Sequence, residues 1–284
     1  MSRIVYVNGE YLPEEEAKVS IFDRGFLMAD AVYEVCSVLD GKLLEFEGHV
    51  ARLHRSLSEL KMAEPCTDEE LLEIHRELVR RNEVQEGGVY LQVTRGAADR
   101  DFAWSKDLTP TLVLFTQAKS IEHSPTASTG IKVIAMEDQR WARRDIKTVQ
   151  LLFPSLAKME AKAQGKDDAW LVEDGYVTEG TSNNAWIVTR DGTIVTRDLS
   201  TDLLHGITRA SVMKYAKEAQ MKVEERKFTI KEAQEAAEAF FTSASAFVTP
   251  VVEIDGATLG DGTPGPVARR LREIYLAESR ARAI

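Results

Sequence analysis

Four two-residue turn signals constrain the possible fold more than any other feature of this 284-residue sequence. Each stands between short runs of apolar and β-branched residues, and the dipeptides are Asn8-Gly9, Asp40-Gly41, Asp174-Gly175 and Asp191-Gly192. Asn-Gly and Asp-Gly in such positions are typical of tight hairpins between antiparallel strands. Because helical patterns alternate with these hairpins, the sequence predicts an α+β fold in which most strands are short and antiparallel.

The N-terminal part of the chain is predicted to combine strands with two helices. Residues 49–62 have helical periodicity, with their apolar side chains on one face. Thr67 and Glu70 form a capping box, which predicts the start of a second helix. Besides the hairpin at Asn8-Gly9, strands are predicted at 31–39, 42–46, 89–94 and 112–116.

A polar stretch with turn residues, Ser-Pro-Thr-Ala-Ser-Thr-Gly, occupies residues 124–130. It predicts an interdomain linker at 121–130, between an N-terminal α/β domain of residues 1–120 and a C-terminal domain of residues 131–284. In the C-terminal domain, helices are predicted at 152–164, 208–220, 230–238 and 266–279. Short strands are predicted at 131–135, 169–173, 176–178, 185–189, 193–196, 240–242 and 251–254.

The composition argues against several classes of protein. The chain has 36 Lys+Arg against 46 Asp+Glu, a net charge of −10, which weighs against nucleic acid or an anionic membrane as the main partner. No apolar run is long enough to span a bilayer, and the start lacks the apolar segment of a signal peptide. Cys36 and Cys66 have no metal-ligand spacing, so the sequence predicts a reduced, cytoplasmic protein without a metal site.

Four polar segments lie beside apolar strands in the C-terminal part, at 143–148, 177–184, 204–209 and 241–245. In the third segment, Ile207 and Thr208 are predicted to present backbone amides at the start of a helix, where phosphate groups bind. Taken singly, Thr208 fits an ordinary N-cap, and Lys147 and Glu179 fit solvated surface residues. A functional interpretation therefore depends on the four segments in combination.

In combination, these segments resemble the class IV aminotransferases, the fold type IV family of enzymes that depend on pyridoxal 5′-phosphate. The motifs that carry the resemblance run in order along nearly the whole chain: Val32-Tyr33-Glu34-Val35, Glu47-Gly-His-Val-Ala-Arg52-Leu, Gln92-Val-Thr-Arg95-Gly96, Arg144-Asp-Ile-Lys147, Val177-Thr-Glu179-Gly-Thr-Ser-Asn183 and Gly206-Ile-Thr208-Arg209. The closest resemblance is to the D-amino acid branch of the family. It implies a homodimer whose subunits have a smaller N-terminal α/β domain and a larger C-terminal pseudo-barrel domain.

The resemblance also implies which residues bind the cofactor. Lys147 is the catalytic residue, which forms a Schiff base with the aldehyde of pyridoxal phosphate and then acts as a general base. Glu179 faces the pyridine nitrogen and keeps it protonated, and Leu204 packs against one face of the ring. The phosphate is held by Arg52, Ile207, Thr208, Ser243 and Ala244. At Ala244, relatives often carry a hydroxyl residue, so only the backbone N–H of this position is expected to serve.

For the substrate carboxylate, the resemblance implies Tyr33 and Arg100, together with a third position where relatives carry His and this chain carries Phe102. The implied activity is transfer of the amino group of a D-amino acid, such as D-alanine, to a 2-oxo acid, such as 2-oxoglutarate, by a ping-pong mechanism. Because Phe102 removes a donor, branched-chain L-amino acid aminotransferase, (R)-amine transaminase and aminodeoxychorismate lyase remain alternatives. A phosphate- or nucleotide-binding module without catalysis is the alternative from another class.

Overall fold

The computed structural model describes residues 2–284, which divide into two compact units. Unit 1 comprises the chain up to Ser120, Ile146–Gln150 and Ser279–Ile284, and unit 2 comprises Ile121–Asp145 and Leu151–Glu278. Residues 121–130, predicted as a linker, belong to unit 2 and include the short helix α4 (Pro125–Thr129). Unit 1 therefore includes two short segments, Ile146–Gln150 and Ser279–Ile284, that lie far along the chain. The division predicted from the sequence assigns both segments to the C-terminal domain.

Unit 1 contains a six-stranded antiparallel sheet with the strand order β2-β1-β6-β5-β3-β4. Its strands are β1 (Ile4–Val7), β2 (Glu10–Pro13), β3 (Ala31–Leu39), β4 (Lys42–Leu43), β5 (Glu86–Thr94) and β6 (Thr111–Ala118). The predicted hairpins at Asn8-Gly9 and Asp40-Gly41 are confirmed. All four of these residues have positive φ, the conformation that a type I′ turn requires and that Asn, Asp and Gly tolerate best.

The helices of unit 1 are α1 (Arg24–Met28), α2 (Phe46–Glu59) and α3 (Asp68–Arg81). The predicted capping box of α3 is confirmed, since the Thr67 and Glu70 side chains each accept a hydrogen bond from the other's backbone N–H. The strand predicted at 42–46 is wrong at its end. Glu45 adopts a left-handed conformation that stops the strand, and α2 begins at Phe46. Helix α1 was not predicted, because five residues are too few to show a helical period.

The two faces of the unit 1 sheet differ in burial. One face is fully buried and packs against α2 and α3, with Val32, Leu91 and Leu114 in its core. The opposite face is half-buried and carries stacked aromatic rings: Tyr33 lies 5.6 Å from Tyr90 between ring centroids, and Tyr90 lies 4.7 Å from Phe115. The alternation along β3 thus directs Tyr33 to one side of the sheet and its neighbour Glu34 to the other.

Unit 2 contains a nine-stranded mixed sheet with the order β12-β11-β10-β13-β14-β7-β8-β9, and β15 pairs with β14. The strands are β7 (Ile131–Glu137), β8 (Asp168–Glu173), β9 (Tyr176–Gly180), β10 (Asn184–Val188), β11 (Ile194–Thr196), β12 (Val223–Glu225), β13 (Glu238–Ser243), β14 (Phe247–Ile254) and β15 (Ala257–Thr258). Strand β9, at one end of this order, also contacts β10, near the other end. The sheet therefore curls on itself, as a pseudo-barrel requires.

The remaining helices are α5 (Leu152–Ala163), α6 (Ile207–Glu218), α7 (Ile230–Glu235) and α8 (Pro266–Ala281). The helix predicted at 230–238 is wrong at its end, because Ala236 is extended and Glu238 already belongs to β13. The hairpins predicted at Asp174-Gly175 and Asp191-Gly192 are confirmed. Within residues 2–284, no helix has both the length and the apolar character needed to cross a bilayer.

Candidate active-site residues

Lys147 lies in the segment Ile146–Gln150, which joins unit 1 through backbone hydrogen bonds to β3. The Tyr33 N–H donates to the Lys147 carbonyl at 3.0 Å, and the Val149 N–H donates to the Ala31 carbonyl at 3.2 Å. On the other side, the Lys147 N–H donates to Oγ of Ser56, a buried residue of α2, at 3.4 Å. A strand and a helix of unit 1 thus fix the backbone at Lys147.

The side chain of Lys147 meets an aromatic ring. Its Nζ lies 4.0 Å from the centroid of the Tyr33 ring, which is itself stacked on Tyr90. Among the described residues of unit 1, no carboxylate lies within ion-pair distance of this ammonium group. An aromatic face attracts a cation less strongly than a paired carboxylate does. A primary amine is the side-chain group that condenses with a carbonyl compound, and no described carboxylate of unit 1 engages this one.

Arg52 belongs to a buried ion-pair network in the same unit. Its Nε and Nη2 donate to the two carboxylate oxygens of Glu34 at 2.8 and 2.7 Å, and His49 Nδ1 donates to Glu34 at 2.8 Å. Burial alone would raise the pKa of Glu34, but the Arg52 charge and the donated hydrogen bonds hold it at about 2. Arg52 and Ser56 are four residues apart on α2, so Arg52 lies one turn from the residue that binds the Lys147 backbone.

Glu179 lies on β9 in unit 2 and is 3% exposed. Its carboxylate accepts hydrogen bonds from Arg140 Nη1 at 2.5 Å, from Asn184 Nδ2 at 3.0 Å and from the Leu204 N–H at 3.2 Å. Burial raises the pKa of Glu179 above its ordinary value, and the Arg140 guanidinium opposes that rise without cancelling it. The carboxylate therefore has capacity for a further partner that carries a proton or a positive charge.

Arg140 is shared between two carboxylates, which explains why it compensates Glu179 only in part. Its Nε and Nη2 donate to Asp138 at 2.9 and 2.7 Å, and Asp138 also accepts from Thr178 Oγ1 at 2.8 Å. Sequence analysis missed Arg140 and Asp138. They precede the Arg144-Lys147 motif as part of an ordinary charged run, and only the folded sheet brings Arg140 to Glu179.

The N-terminus of α6 is a second group of polar atoms in unit 2, in addition to the hydrogen-bonded carboxylate of Glu179. Gly206 is its N-cap and supplies no side-chain cap, so the first amides, at Ile207 and Thr208, retain the unsatisfied donors of a helix N-terminus. Thr208 is 2% exposed, and its hydroxyl oxygen has no hydrogen-bond partner among the described residues. Orphan amides and a buried hydroxyl at the positive end of a helix match the needs of a phosphate group.

Asn184 connects the elements of this site within unit 2. Its Nδ2 donates both to Glu179 and, at 2.9 Å, to the Leu204 carbonyl. A Cβ at Gly206 would lie 2.1 Å from Asn184 Oδ1, so only glycine permits this approach. Asn184 also pairs with Thr242 on β13, and Ser243, the last residue of that strand, and Ala244 follow Thr242 along the chain. Asn184 thus connects β9, β13 and the segment that leads into α6.

The residues predicted to bind the substrate carboxylate do not lie together in the same way. Tyr33 is half-buried in the sheet of unit 1, whereas Arg100 and Phe102 lie on the exposed loop between β5 and β6. Phe102 is 76% exposed, and the Arg100 guanidinium lies 5.6 Å from its ring. The loop is anchored by Trp104, whose ring centroid lies 4.1 Å from the Arg95 guanidinium carbon, a contact that sequence analysis missed.

The chain is similar to known proteins along almost its whole length. The model of the amino-transferase class IV family matches residues 31–254. The D-alanine aminotransferase of Staphylococcus haemolyticus is 39% identical over 270 residues, 95% of each chain, and that of Bacillus licheniformis is 37% identical over 268 residues, 94% of each.

Similar solved structures are branched-chain amino acid aminotransferases. The T.th. enzyme with pyridoxamine 5′-phosphate has 31% identity and a TM-score of 0.88, over 99% of this chain and 95% of that one. The Escherichia coli enzyme, at 23% identity, has a TM-score of 0.90 over 98% of this chain and 95% of that one, which shows the fold alone. These matches confirm the fold class predicted from the sequence.

Proposed function

Because this chain belongs to the class IV aminotransferases, we propose that it is a pyridoxal-phosphate-dependent transaminase. It transfers the amino group of a D-amino acid, such as D-alanine, to a 2-oxo acid, such as 2-oxoglutarate, by a ping-pong mechanism. The observation that carries this proposal is the similarity to D-alanine aminotransferases over nearly the full length of both chains. The related structure that contains pyridoxamine 5′-phosphate supports the cofactor.

The chemistry of the residues in each unit fits this cofactor. Unit 1 supplies the amine of Lys147, which has no carboxylate partner among the described residues of that unit, and the buried guanidinium of Arg52. Unit 2 supplies a buried carboxylate, Glu179, and a helix N-terminus beside the unpartnered hydroxyl of Thr208. An aldehyde, a pyridine nitrogen and a phosphate are the groups that such side chains bind.

When bound, pyridoxal phosphate supplies an aldehyde that condenses with amines and an aromatic ring that accepts the electron pair left at a substrate carbon. We assign to Lys147 the covalent attachment of the cofactor through Nζ. The free Nζ of Lys147 would also act as the general base that takes the proton from the substrate Cα. The hydrogen bonds that the Lys147 backbone donates to Ser56 Oγ and accepts from the Tyr33 N–H support this role, because they hold the lysine backbone in a fixed position.

We assign Glu179 to the ring nitrogen, where a carboxylate keeps a proton in place. The support is its electrostatic environment: a buried carboxylate with a raised pKa gains most from a neighbour that carries a proton. We assign the phosphate to Arg52 and to the amides and hydroxyls of Ile207, Thr208, Ser243 and Ala244. Leu204 is assigned to one face of the ring.

For the substrate carboxylate, we propose Tyr33 and Arg100, with Phe102 in place of a hydrogen-bond donor. We also propose a homodimer in the cytoplasm. In unit 1, large apolar side chains such as Phe26 and Phe102 are more than 70% exposed, a surface that a subunit interface would cover. The thiols of Cys36 and Cys66 are both free, which is compatible with a reducing compartment.

A branched-chain L-amino acid aminotransferase is the second candidate. Two observations favour it: the similar solved structure at 31% identity carries that name, and Phe102 stands where D-specific relatives have His. An apolar side chain at the carboxylate trap suits a less polar donor better than a histidine does.

A panel of amino donors separates the two candidates. With 2-oxoglutarate as acceptor, we expect D-alanine to be converted with the highest kcat/KM and Lys147→Ala to abolish conversion of every donor. Lys162→Ala is the matched control, since Lys162 lies on the surface of α5 and forms an ion pair with Asp167. If L-leucine or a simple chiral amine is converted at least about tenfold faster than D-alanine, a gap of about 1.4 kcal/mol, the proposed substrate is wrong. If no donor is converted, the proposed activity is wrong.

A further inference from the structure

We propose that Glu34 is a positioning residue for the cofactor phosphate, which acts by fixing the guanidinium of Arg52. This inference deepens the proposed function and rests on it. Glu34 itself contacts neither substrate nor cofactor in this account. Its effect reaches the phosphate only through the orientation of the arginine.

The geometry that carries the inference is a two-point contact inside unit 1. Glu34 is 3% exposed and Arg52 is 8% exposed, and both carboxylate oxygens of Glu34 accept hydrogen bonds from the same edge of the guanidinium. A bidentate pair of this kind sets the plane of the guanidinium as well as its position. An arginine held by a single contact has several side-chain torsions left to order when an anion binds.

Helix α2 also fixes Glu34 in return. His49, which precedes Arg52 by one helical turn, donates from Nδ1 to Glu34 Oε2 at 2.8 Å and is 4% exposed. Glu34 therefore receives three hydrogen bonds from two side chains of the same helix. The carboxylate and the guanidinium restrain each other, so the arginine is ordered before any ligand arrives.

The position of this network distinguishes it from a purely structural ion pair. A buried ion pair contributes little net stability compared with apolar side chains of the same size, so stability alone does not account for it. Arg52 lies one turn from Ser56, whose hydroxyl accepts from the Lys147 N–H. The ordered guanidinium is thus tied, through a single helix, to the residue assigned to the cofactor aldehyde.

The charge of Glu34 makes the inference directly testable. A carboxylate repels a phosphate, so if charge alone decided affinity, neutralising Glu34 would tighten the binding of pyridoxal phosphate. If orientation decides, the same change loosens it, because a glutamine offers one acceptor where Glu34 offers two. The two accounts predict opposite signs for Glu34→Gln.

The experiment is an equilibrium titration of the cofactor-free full-length chain, followed by tryptophan fluorescence and by absorbance. We expect Glu34→Gln to raise the Kd for pyridoxal 5′-phosphate about tenfold and to leave the Kd for pyridoxal, which lacks the phosphate, within about twofold. Glu77→Gln is the matched control, because Glu77 accepts from Arg80 and Arg81 on the outer surface of α3 and its change should leave both constants unaltered. An unchanged or lower Kd for pyridoxal phosphate in Glu34→Gln overturns the inference.

A double-mutant cycle with Arg52→Lys tests whether Glu34 acts through the arginine. In the Arg52→Lys background, Glu34→Gln should change the Kd for pyridoxal phosphate less than about twofold, because the guanidinium that it orients is gone. A full tenfold loss in that background, or equal losses for pyridoxal and its phosphate, contradicts the inference while leaving the proposed function intact. If Glu34→Gln does not fold, His49→Gln takes its place, with a smaller loss of the same sign. A wild-type chain that binds no pyridoxal phosphate overturns the proposed function, and this inference with it.

Discussion

Two buried glutamates, Glu34 in unit 1 and Glu179 in unit 2, have the same exposure and opposite electrostatics. Each is 3% exposed, and each contacts an arginine. The pKa of Glu34 is lowered to about 2, because its charge partners outweigh the effect of burial, whereas burial raises the pKa of Glu179. Two side chains of the same type, equally removed from water, therefore have pKa values that are shifted in opposite directions.

The difference in pKa follows from how each arginine is used. Arg52 gives two hydrogen bonds to Glu34, whereas Arg140 is divided between Glu179 and Asp138. Glu34 receives two hydrogen bonds from Arg52 and one from His49. Glu179 receives one from Arg140, which gives two others to Asp138. Burial alone thus does not decide the direction in which the pKa of a carboxylate shifts. The positive charges and hydrogen bonds around the carboxylate decide it. Glu34 is equipped to remain charged and fixed, and Glu179 is left able to bind a protonated group.

The largest expected effect concerns the reaction itself. Glu179→Gln should lower kcat by about 100- to 1,000-fold at saturating cofactor, because a neutral amide stabilises a protonated ring nitrogen far less well. Steady-state kinetics with D-alanine measures this loss. At the same cofactor saturation, Glu34→Gln should lower kcat much less, since the proposed role of Glu34 ends once the phosphate is bound. Equal losses of kcat in the two variants would contradict the contrast between them.

The next effect concerns stability and its dependence on pH. A pKa lowered from 4.5 to about 2 means that the charged form of Glu34 stabilises the folded chain relative to the protonated form of the same side chain. This stabilisation is complete above about pH 4.5 and is lost as the pH falls toward 2. Glu34→Gln should therefore unfold at a lower urea concentration than the wild type at pH 7, and the difference should shrink toward pH 3.

Glu179→Gln should have the opposite sign in the same measurement. A raised pKa means that ionisation of Glu179 costs stability as the pH rises through its unfolded value, so the neutral glutamine should stabilise the cofactor-free protein at pH 7. Arg140 retains Asp138 as a partner in this variant. If both variants shift the urea midpoint in the same direction, the two carboxylates do not differ as described.

The smallest expected effect comes from the asparagine that holds Glu179. In Gly206→Ala, the new Cβ would lie 2.1 Å from Asn184 Oδ1 and displace that side chain. We expect the Kd for pyridoxal phosphate to rise about tenfold, or about 1.4 kcal/mol, with the urea midpoint changed little. A variant that binds the cofactor as the wild type does would show that Asn184 is not needed to hold the site together.

The features that were predictable from the sequence are the ones that neighbouring residues determine. The hairpin at Asn8-Gly9 and the capping box at Thr67 and Glu70 depend on residues within one turn of each other, and each was located correctly. The ends of β4 and α7 were not, because a single left-handed or extended residue ends each element.

The hydrogen-bond partners of the candidate site residues could not be predicted from sequence patterns, for a different reason. Arg140 and Glu179 are 39 positions apart, and Glu34 and Arg52 are 18 apart. No local periodicity connects such pairs, since only the pairing of strands and the packing of α2 bring them together. The resemblance to the family identified Arg52 and Glu179 as candidates, but it did not indicate what orients them.

The most direct test of the account is the site of cofactor attachment. The purified holoenzyme is reduced with borohydride, digested and analysed by mass spectrometry, with Lys147→Ala as the control. The account predicts a phosphopyridoxyl group on the peptide that contains Lys147 and none on any peptide of the variant. Attachment to a different lysine, or a cofactor-replete wild type without any covalent adduct, would contradict it.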